Sequence, residues 1–144
     1  MNQIDSDIIR YISRKRLAHL ATSDCGGVPT VIPVCFAYHN NIVYTPLDAK
    51  PKKILPTKLK RVKNIIENPS VSFVIDEYND DWDRLSYVLI QGTASLIDHG
   101  EEYAEALAQL CEKYEQYSKM KLADLGLPVI KIVPNKIITW GNFD

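Results

Sequence analysis

The chain has 144 residues, of which 17 are Lys or Arg and 18 are Asp or Glu, so its formal net charge of −1 gives no general excess of positive charge for binding a nucleic acid. Hydrophobic residues make up 46% of the sequence, which is enough for the core of one domain over residues 1–144. No apolar run approaches the roughly 18 residues that span a membrane. Residues 1–16 have acids where a secretory signal would be basic, so we expect a cytoplasmic protein that does not insert into a membrane.

The cysteines and histidines are few and scattered. The three cysteines, Cys25, Cys35 and Cys111, are odd in number and form no CxxC motif, and the three histidines stand apart from them. This pattern predicts neither a disulfide framework nor a metal site. It also agrees with a reducing, cytoplasmic location.

The N-terminal half of the chain predicts a short helix followed by three antiparallel strands. Asp5 or Ser6 can cap the helix. The strands cover residues 17–23, 30–39 and 42–47. Asn40 and Asn41 are typical of a type I′ hairpin turn between the last two strands. Pro33 cannot donate a ladder hydrogen bond, so the middle strand is expected to be irregular, or at a sheet edge, near this residue.

The C-terminal half predicts two further helices and four further strands. The helices cover residues 57–67 and 101–117, and the strands cover residues 70–77, 85–98, 129–133 and 136–140. Gly92, inside the longest strand, predicts a bulge or a close backbone approach. Mostly antiparallel strands with few helices favour a small β-barrel. The chain contains neither GxGxxG nor GxxxxGKS/T, so a Rossmann or P-loop nucleotide site is not expected.

One short stretch of the chain concentrates the positive charge. Seven of the 17 Lys and Arg residues lie between Lys50 and Lys63, and no acid occurs from Ala49 to Ile66. This basic segment joins a predicted strand to a predicted helix, where cations and free N–H groups suit a phosphate. A solvated helix face and a nucleic-acid surface are the other interpretations. The latter is disfavoured because no aromatic residues lie between the lysines and the stretch is short for a polyanion.

Five short motifs occur in an order that resembles a known family. They are PVCF at 33–36, DAKPK at 48–52, RVKNIIENPSVSF at 61–73, DEYNDDW at 76–82 and VLIQGTA at 88–94. Together they resemble the pyridoxamine-phosphate-oxidase-like split barrels, most closely the small flavin- or deazaflavin-dependent subgroup, over residues 8–140. The resemblance implies a mainly β fold, a six-stranded antiparallel split barrel with a few short helices. It also implies a homodimer with FMN or coenzyme F420 bound at the subunit interface.

The resemblance further implies which residues contact the ring of the cofactor. The ring would lie along the strand of the PVCF motif, held partly by the backbone of Val34 and Cys35. Pro33 would leave backbone groups there free of the ladder. Trp140 would pack over the ring.

The phosphate end of the cofactor would meet a hydroxyl and several cations. Thr45 comes from the strand before the basic segment, and the cations are Lys50, Lys53, Arg61 and Lys63. Whether Arg61, Lys63 or both contact the phosphate is open. The remaining lysines of the segment could serve the polyglutamate tail of F420, or could simply keep the loop soluble.

Two residues of the longest strand would reach the cofactor from the partner subunit. Gln91 would offer its amide to the polar edge of the ring, and Gly92 would allow a close approach. The chain is then expected to be an FMN- or F420-dependent oxidoreductase that moves a hydride to or from an unidentified small molecule, with no catalytic side chain of its own. The alternatives are a flavin carrier without turnover and, less favoured, a nucleic-acid-binding barrel.

Overall fold

The computed structural model describes residues 4–47 and 58–144. Seven strands lie in this part of the chain. They are β1 (Ala18–Ser23), β2 (Pro29–Val34), β3 (Ala37–His39), β4 (Ile42–Pro46), β5 (Ser70–Glu77), β6 (Ser86–Ile97) and β7 (Val129–Gly141). The α-helices are α1 (Ser6–Arg14), α2 (Lys60–Glu67), α3 (Glu101–Lys113) and α4 (Glu115–Lys119), and short 3-10 turns lie at Trp82–Arg84 and Leu122–Asp124. None of the helices in these residues is long and apolar enough to cross a membrane.

The strands form one antiparallel sheet in the order β2-β1-β5-β6-β7-β4-β3. Strands β2 and β3 occupy its opposite edges, yet only Cys35 and Phe36 separate them in the chain. Two residues span at most about 11 Å between the flanking Cα atoms. The edges must therefore meet, and the sheet curls into a half-barrel.

The prediction of a six-stranded barrel is wrong in its number of strands, because the described residues contain seven. The predicted strand 30–39 is divided into β2 and β3, which belong to opposite edges of the sheet. The two predicted C-terminal strands are instead one strand, β7, which continues through Pro134. Next to this proline the ladder has a bulge: its register shifts between Gln91 and Gly92 of β6, and Asn135 of β7 is skipped in the pairing.

The concave side of the sheet holds the main core. Its largest fully buried side chains include Leu20, Phe36, Phe73 and Ile90. Helix α1 adds Ile8, Tyr11 and Ile12 to this core, and α2 adds Val62 and Ile65. The alternation of buried and exposed residues along β1 and β5 is the expected pattern for strands with one face in the core.

The convex side is covered unevenly. Helix α3 packs against β3, β4 and β7, where a second buried cluster includes Tyr44, Leu107, Leu110 and Val129. On the convex side of the other strands, Val31 is 65% exposed and Trp140 is 52% exposed. This exposed part of the convex face contains several of the predicted cofactor-binding residues.

Candidate functional site

Helix α2, which carries the C-terminal part of the basic segment, is attached to the sheet by its other residues. Val62 and Ile65 are buried in the core. The Nδ2 of buried Asn64 donates to the buried Thr22 hydroxyl at 3.0 Å. The Glu67 carboxylate accepts from the Cys25 N–H at 3.2 Å. These contacts place α2 beside β1 and the turn that follows it.

Arg61 and Lys63 lie on the same helix but not on the same side of it. Successive residues of an α-helix rotate by about 100°, so the two side chains leave α2 about 200° apart. Arg61 is half-buried, whereas Lys63 is exposed. The structure thus gives Arg61 the more enclosed position of the two. The other predicted phosphate contacts, Lys50 and Lys53, lie outside the described residues.

Thr45 lies on the concave side of β4, between Val43 and Leu47. It is 1% exposed. Its hydroxyl is buried and has no hydrogen-bond partner within the described residues. Since buried polar groups are almost always paired, this hydroxyl is a position where a further donor or acceptor is expected.

The predicted ring-binding residues of the PVCF motif lie where β2 ends. As expected for its proline, β2 is an edge strand, and Pro33 is exposed opposite His19. Val34 is buried and Cys35 is half-buried. The next N–H, that of Phe36, is already bonded to the Tyr114 hydroxyl at 3.1 Å. The N–H that follows the predicted Val34 and Cys35 contacts is therefore already used by Tyr114, at the end of α3.

Gln91 and Gly92 line a groove on the convex face, with a volume of about 420 Å³. Ser72 and Lys136 from the neighbouring strands also line this groove. The predicted bulge at Gly92 is confirmed. A Cβ at Gly92 would lie 2.5 Å from the Val133 carbonyl oxygen, so the close approach there is to the adjacent strand.

Trp140 lies on the same convex face as this groove, but at a different position. Its ring stacks on Tyr87 with 5.9 Å between centroids and 25° between planes. Tyr87, the cross-strand partner of Trp140, precedes Gln91 by four residues on β6, which is about 13 Å along the strand. Within one protomer, Trp140 and Gln91 are thus too far apart to be neighbours.

A further group of residues, absent from the sequence prediction, surrounds Cys35. Tyr114 interrupts the predicted helix 101–117 in an extended conformation, and its hydroxyl donates to the Arg16 carbonyl at 2.8 Å. The Arg16 guanidinium lies 4.7 Å from the centroid of the Tyr114 ring. It also donates to the Lys113 carbonyl at 2.8 Å. About a hundred residues separate Arg16 from this helix end, so no sequence pattern connected them.

Lys113 is the buried cation of this group. Its ammonium lies 3.8 Å from the centroid of the Phe36 ring and has no hydrogen-bond acceptor in the described parts of the chain. Burial, and secondarily the charge of Arg16, lowers the pKa of Lys113 to about 8. A cavity of about 290 Å³ is lined by Cys35, Arg16 and Tyr114 together with residues of α4. Lys113 itself lines a different cavity, with Gln109 and Glu112.

A curled antiparallel sheet whose two edge strands meet is the architecture of the FMN-binding split barrels. The sequence profile for pyridoxamine 5'-phosphate oxidase matches residues 5–141, and the chain belongs to this family. No curated protein matches the sequence.

Three crystal structures illustrate the similarity of fold. A conserved hypothetical protein from Mycobacterium tuberculosis has a TM-score of 0.77 at 19% identity, over 98% of this chain and 86% of that one. The haem storage protein of Vibrio cholerae has a TM-score of 0.76 at 17% identity, over 97% and 98% of the two chains. An FAD-binding protein from Mesorhizobium loti has a TM-score of 0.68 at 16% identity, over 92% and 89%. At these identities the similarity concerns the fold.

Proposed function

We propose that this protein is an oxidoreductase that uses FMN or coenzyme F420 to move a hydride to or from a small molecule. The observation that carries the proposal is the buried hydroxyl of Thr45, on the strand that precedes the basic segment, in a chain of this family. This hydroxyl has no hydrogen-bond partner among residues 4–47 and 58–144. A flavin is supported by the name of the FAD-binding neighbour.

The residues present fit a phosphate-bearing cofactor. Arg61 and Lys63 supply cations from two sides of a helix that is packed against the sheet. Thr45 supplies a hydroxyl that has no hydrogen-bond partner in the described part of the chain. Lys50 and Lys53 add charge from the adjoining segment. Charge-assisted hydrogen bonds of this kind are the strong ones in proteins. The groove at Gln91, of about 420 Å³, falls within the usual range for small-molecule sites.

We propose that a homodimer completes the site. Val34 and Thr45 lie on the concave side of the sheet, whereas Gln91 lies on the convex side, so one planar ring cannot contact all three in one protomer. A second copy packed on the convex face would bring its own Gln91 and Gly92 to the other end of the cofactor.

The convex face has the character of such an interface. A row of side chains in register crosses five strands on this side: Pro33, His19, Val74, Leu89 and Ile138. Four of the five are apolar, and Val31 next to the row is 65% exposed. An exposed apolar patch of this kind favours association between copies of the chain.

The position of each predicted site residue gives it a role in binding the cofactor. The flavin or deazaflavin, when bound, supplies the hydride chemistry. The cations of α2 neutralise the phosphate and fix the cofactor's orientation. The backbone of Val34 and Cys35 and the amide of Gln91 hold the ring, and Trp140 excludes water from it. We propose no catalytic side chain, and a cytoplasmic location in which the three cysteines remain unpaired, as they are here.

The test is a pair of fluorescence titrations, with FMN and with oxidised F420, at two salt concentrations. Arg61→Ala combined with Lys63→Ala should weaken binding by about 2–5 kcal/mol if two charge-assisted contacts are lost. Lys119→Ala combined with Lys121→Ala removes the same charge from an exposed surface and should leave affinity unchanged. Equal affinity in the two double variants would rule out this phosphate site.

The alternatives give different results in the same assays. A carrier would bind the cofactor tightly but would show no turnover with nicotinamides or reduced F420 as donors. A nucleic-acid-binding barrel would ignore flavins and bind DNA with steep salt dependence. Since one structural neighbour is a haem storage protein, haemin belongs in the titration as a further ligand.

A further inference from the structure

We propose that the cavity beside Cys35 binds a small organic anion with an apolar or aromatic body, such as an aromatic carboxylate. This Cys35 cavity is lined by Arg16, Cys35, Tyr114, Gln116, Tyr117 and Met120. It lies between the two-residue connection of β2 to β3 and helix α4. The inference goes beyond the proposed function, because five of the six lining residues are outside the predicted cofactor set.

Two positive charges near the Cys35 cavity are not compensated by an acid in the described residues. The Arg16 guanidinium donates to the Lys113 carbonyl at 2.8 Å, and its charge helps burial to lower the pKa of the Lys113 ammonium. Within residues 4–47 and 58–144, no carboxylate forms an ion pair with either of them. Two neighbouring cations without an acid favour an anion in the adjoining space.

The contacts that hold the two cations in place also favour an anion in the cavity. Arg16 is anchored by its bond to the Lys113 carbonyl and by its position over the Tyr114 ring, so its guanidinium lines the cavity at little further entropic cost. The Lys113 ammonium lies on the Phe36 ring with no hydrogen-bond acceptor in the described structure. A carboxylate in the cavity is bound directly by Arg16 and is stabilised by the field of Lys113.

The rest of the lining selects the body of the ligand. Tyr114 and Tyr117 meet edge to face with 5.4 Å between their centroids, and Met120 adds a polarisable thioether. The volume of about 290 Å³ suits a single-ring compound and excludes a whole flavin nucleotide. Aromatic faces beside a guanidinium are suited to a planar anion.

Benzoate is the probe for the test, with benzamide as an uncharged ligand of the same shape. We expect calorimetry to show saturable benzoate binding that is about tenfold or more tighter than that of benzamide, since a charge-assisted contact is lost in the amide. Bound benzoate should also slow alkylation of Cys35 by iodoacetamide. The exposed Cys25 is the control within the same molecule and should react at an unchanged rate.

Two variants test the cavity space and the buried positive charge separately. Met120→Trp fills the cavity without changing any charge, and Lys113→Met removes the buried cation. Each should weaken benzoate binding by about tenfold or more, whereas Lys119→Met, at an exposed position of α4, should not. Thermal melts serve as the control that each variant is folded. Equal affinity for benzoate and benzamide, unchanged binding in Met120→Trp, or an unprotected Cys35 would overturn the proposal.

The benzoate experiments and the flavin titrations test two different sites, so one proposal can fail while the other holds. Arg61→Ala with Lys63→Ala should leave benzoate binding unchanged, and FMN should not displace benzoate. Flavin binding without benzoate binding would overturn this inference alone. Competition between the two ligands would overturn it as well, because the cavity would then belong to the cofactor site.

Discussion

The buried amide of Asn64 donates a hydrogen bond to the buried hydroxyl of Thr22, with 3.0 Å between Nδ2 and Oγ1. Asn64 is on α2, two residues from Val62 and next to Lys63, and Thr22 is on β1. This bond therefore connects the helix that carries Arg61 and Lys63 to β1 of the sheet. The bond is a polar contact in an otherwise apolar packing surface. Because a hydrogen bond is directional, it gives α2 a specific orientation on the sheet.

Thr22→Val should destabilise the protein by about 1–3 kcal/mol, because it leaves the buried Asn64 amide without its acceptor while nearly conserving volume. The measurement is the free energy of unfolding in urea. Thr22→Ser keeps the hydroxyl and is the matched control. If the valine variant is as stable as the serine variant, the bond does not secure α2.

Gly92→Ala should destabilise the protein by about 1–3 kcal/mol or more, because the new Cβ would lie 2.5 Å from the Val133 carbonyl oxygen. The bulge opposite Pro134 would have to shift. Gly26→Ala is the control, since its Cβ would come no nearer than 3.4 Å to the Asp24 side chain. Equal unfolding free energies for the two variants would contradict this account of the bulge.

Glu102 should make stability depend on pH in the acid range. Hydrogen bonds from Lys131, at 2.9 Å, and from Tyr44, at 2.6 Å, hold the pKa of its carboxyl below the ordinary value. A lowered folded-state pKa stabilises the protein above the unfolded-state value, and this contribution is lost as the pH falls through the folded-state pKa.

Thermal melts of wild type and Glu102→Gln at pH 7 and pH 3 measure this effect. The wild type should melt higher at pH 7, and the difference should shrink at pH 3. Glu101→Gln, at the exposed neighbouring position, should show little difference at either pH. A difference that is constant with pH would exclude a role for the charge of Glu102.

Leu89→Glu should convert the proposed homodimer into a monomer, because it introduces a charge into the centre of the apolar row on the convex face. Light scattering after size-exclusion chromatography measures the mass. Ala104→Glu adds the same charge on the exposed side of α3 and should leave the mass unchanged. A dimeric Leu89→Glu variant would place the interface elsewhere.

Local patterns in the sequence predicted several features of the fold. Asn40 and Asn41 form the predicted turn with positive φ angles of 51° and 64°, as type I′ requires. Pro33 lies on an edge strand and Gly92 at a bulge, each for the reason its residue type suggested. The ordered motifs also identified the family. The cofactor contacts themselves stay predictions.

The sequence by itself determined which segments form strands and helices, since hydrophobic alternation and turn residues act over a few neighbours. Only the tertiary structure decided that β2 and β3 lie on opposite edges of the sheet, joined by Cys35 and Phe36. It also decided that Arg61 is half-buried whereas Lys63 is exposed, and that Arg16 meets Lys113. The physical reason is that sheet closure and buried cations depend on contacts between segments far apart in the chain, which no local period records.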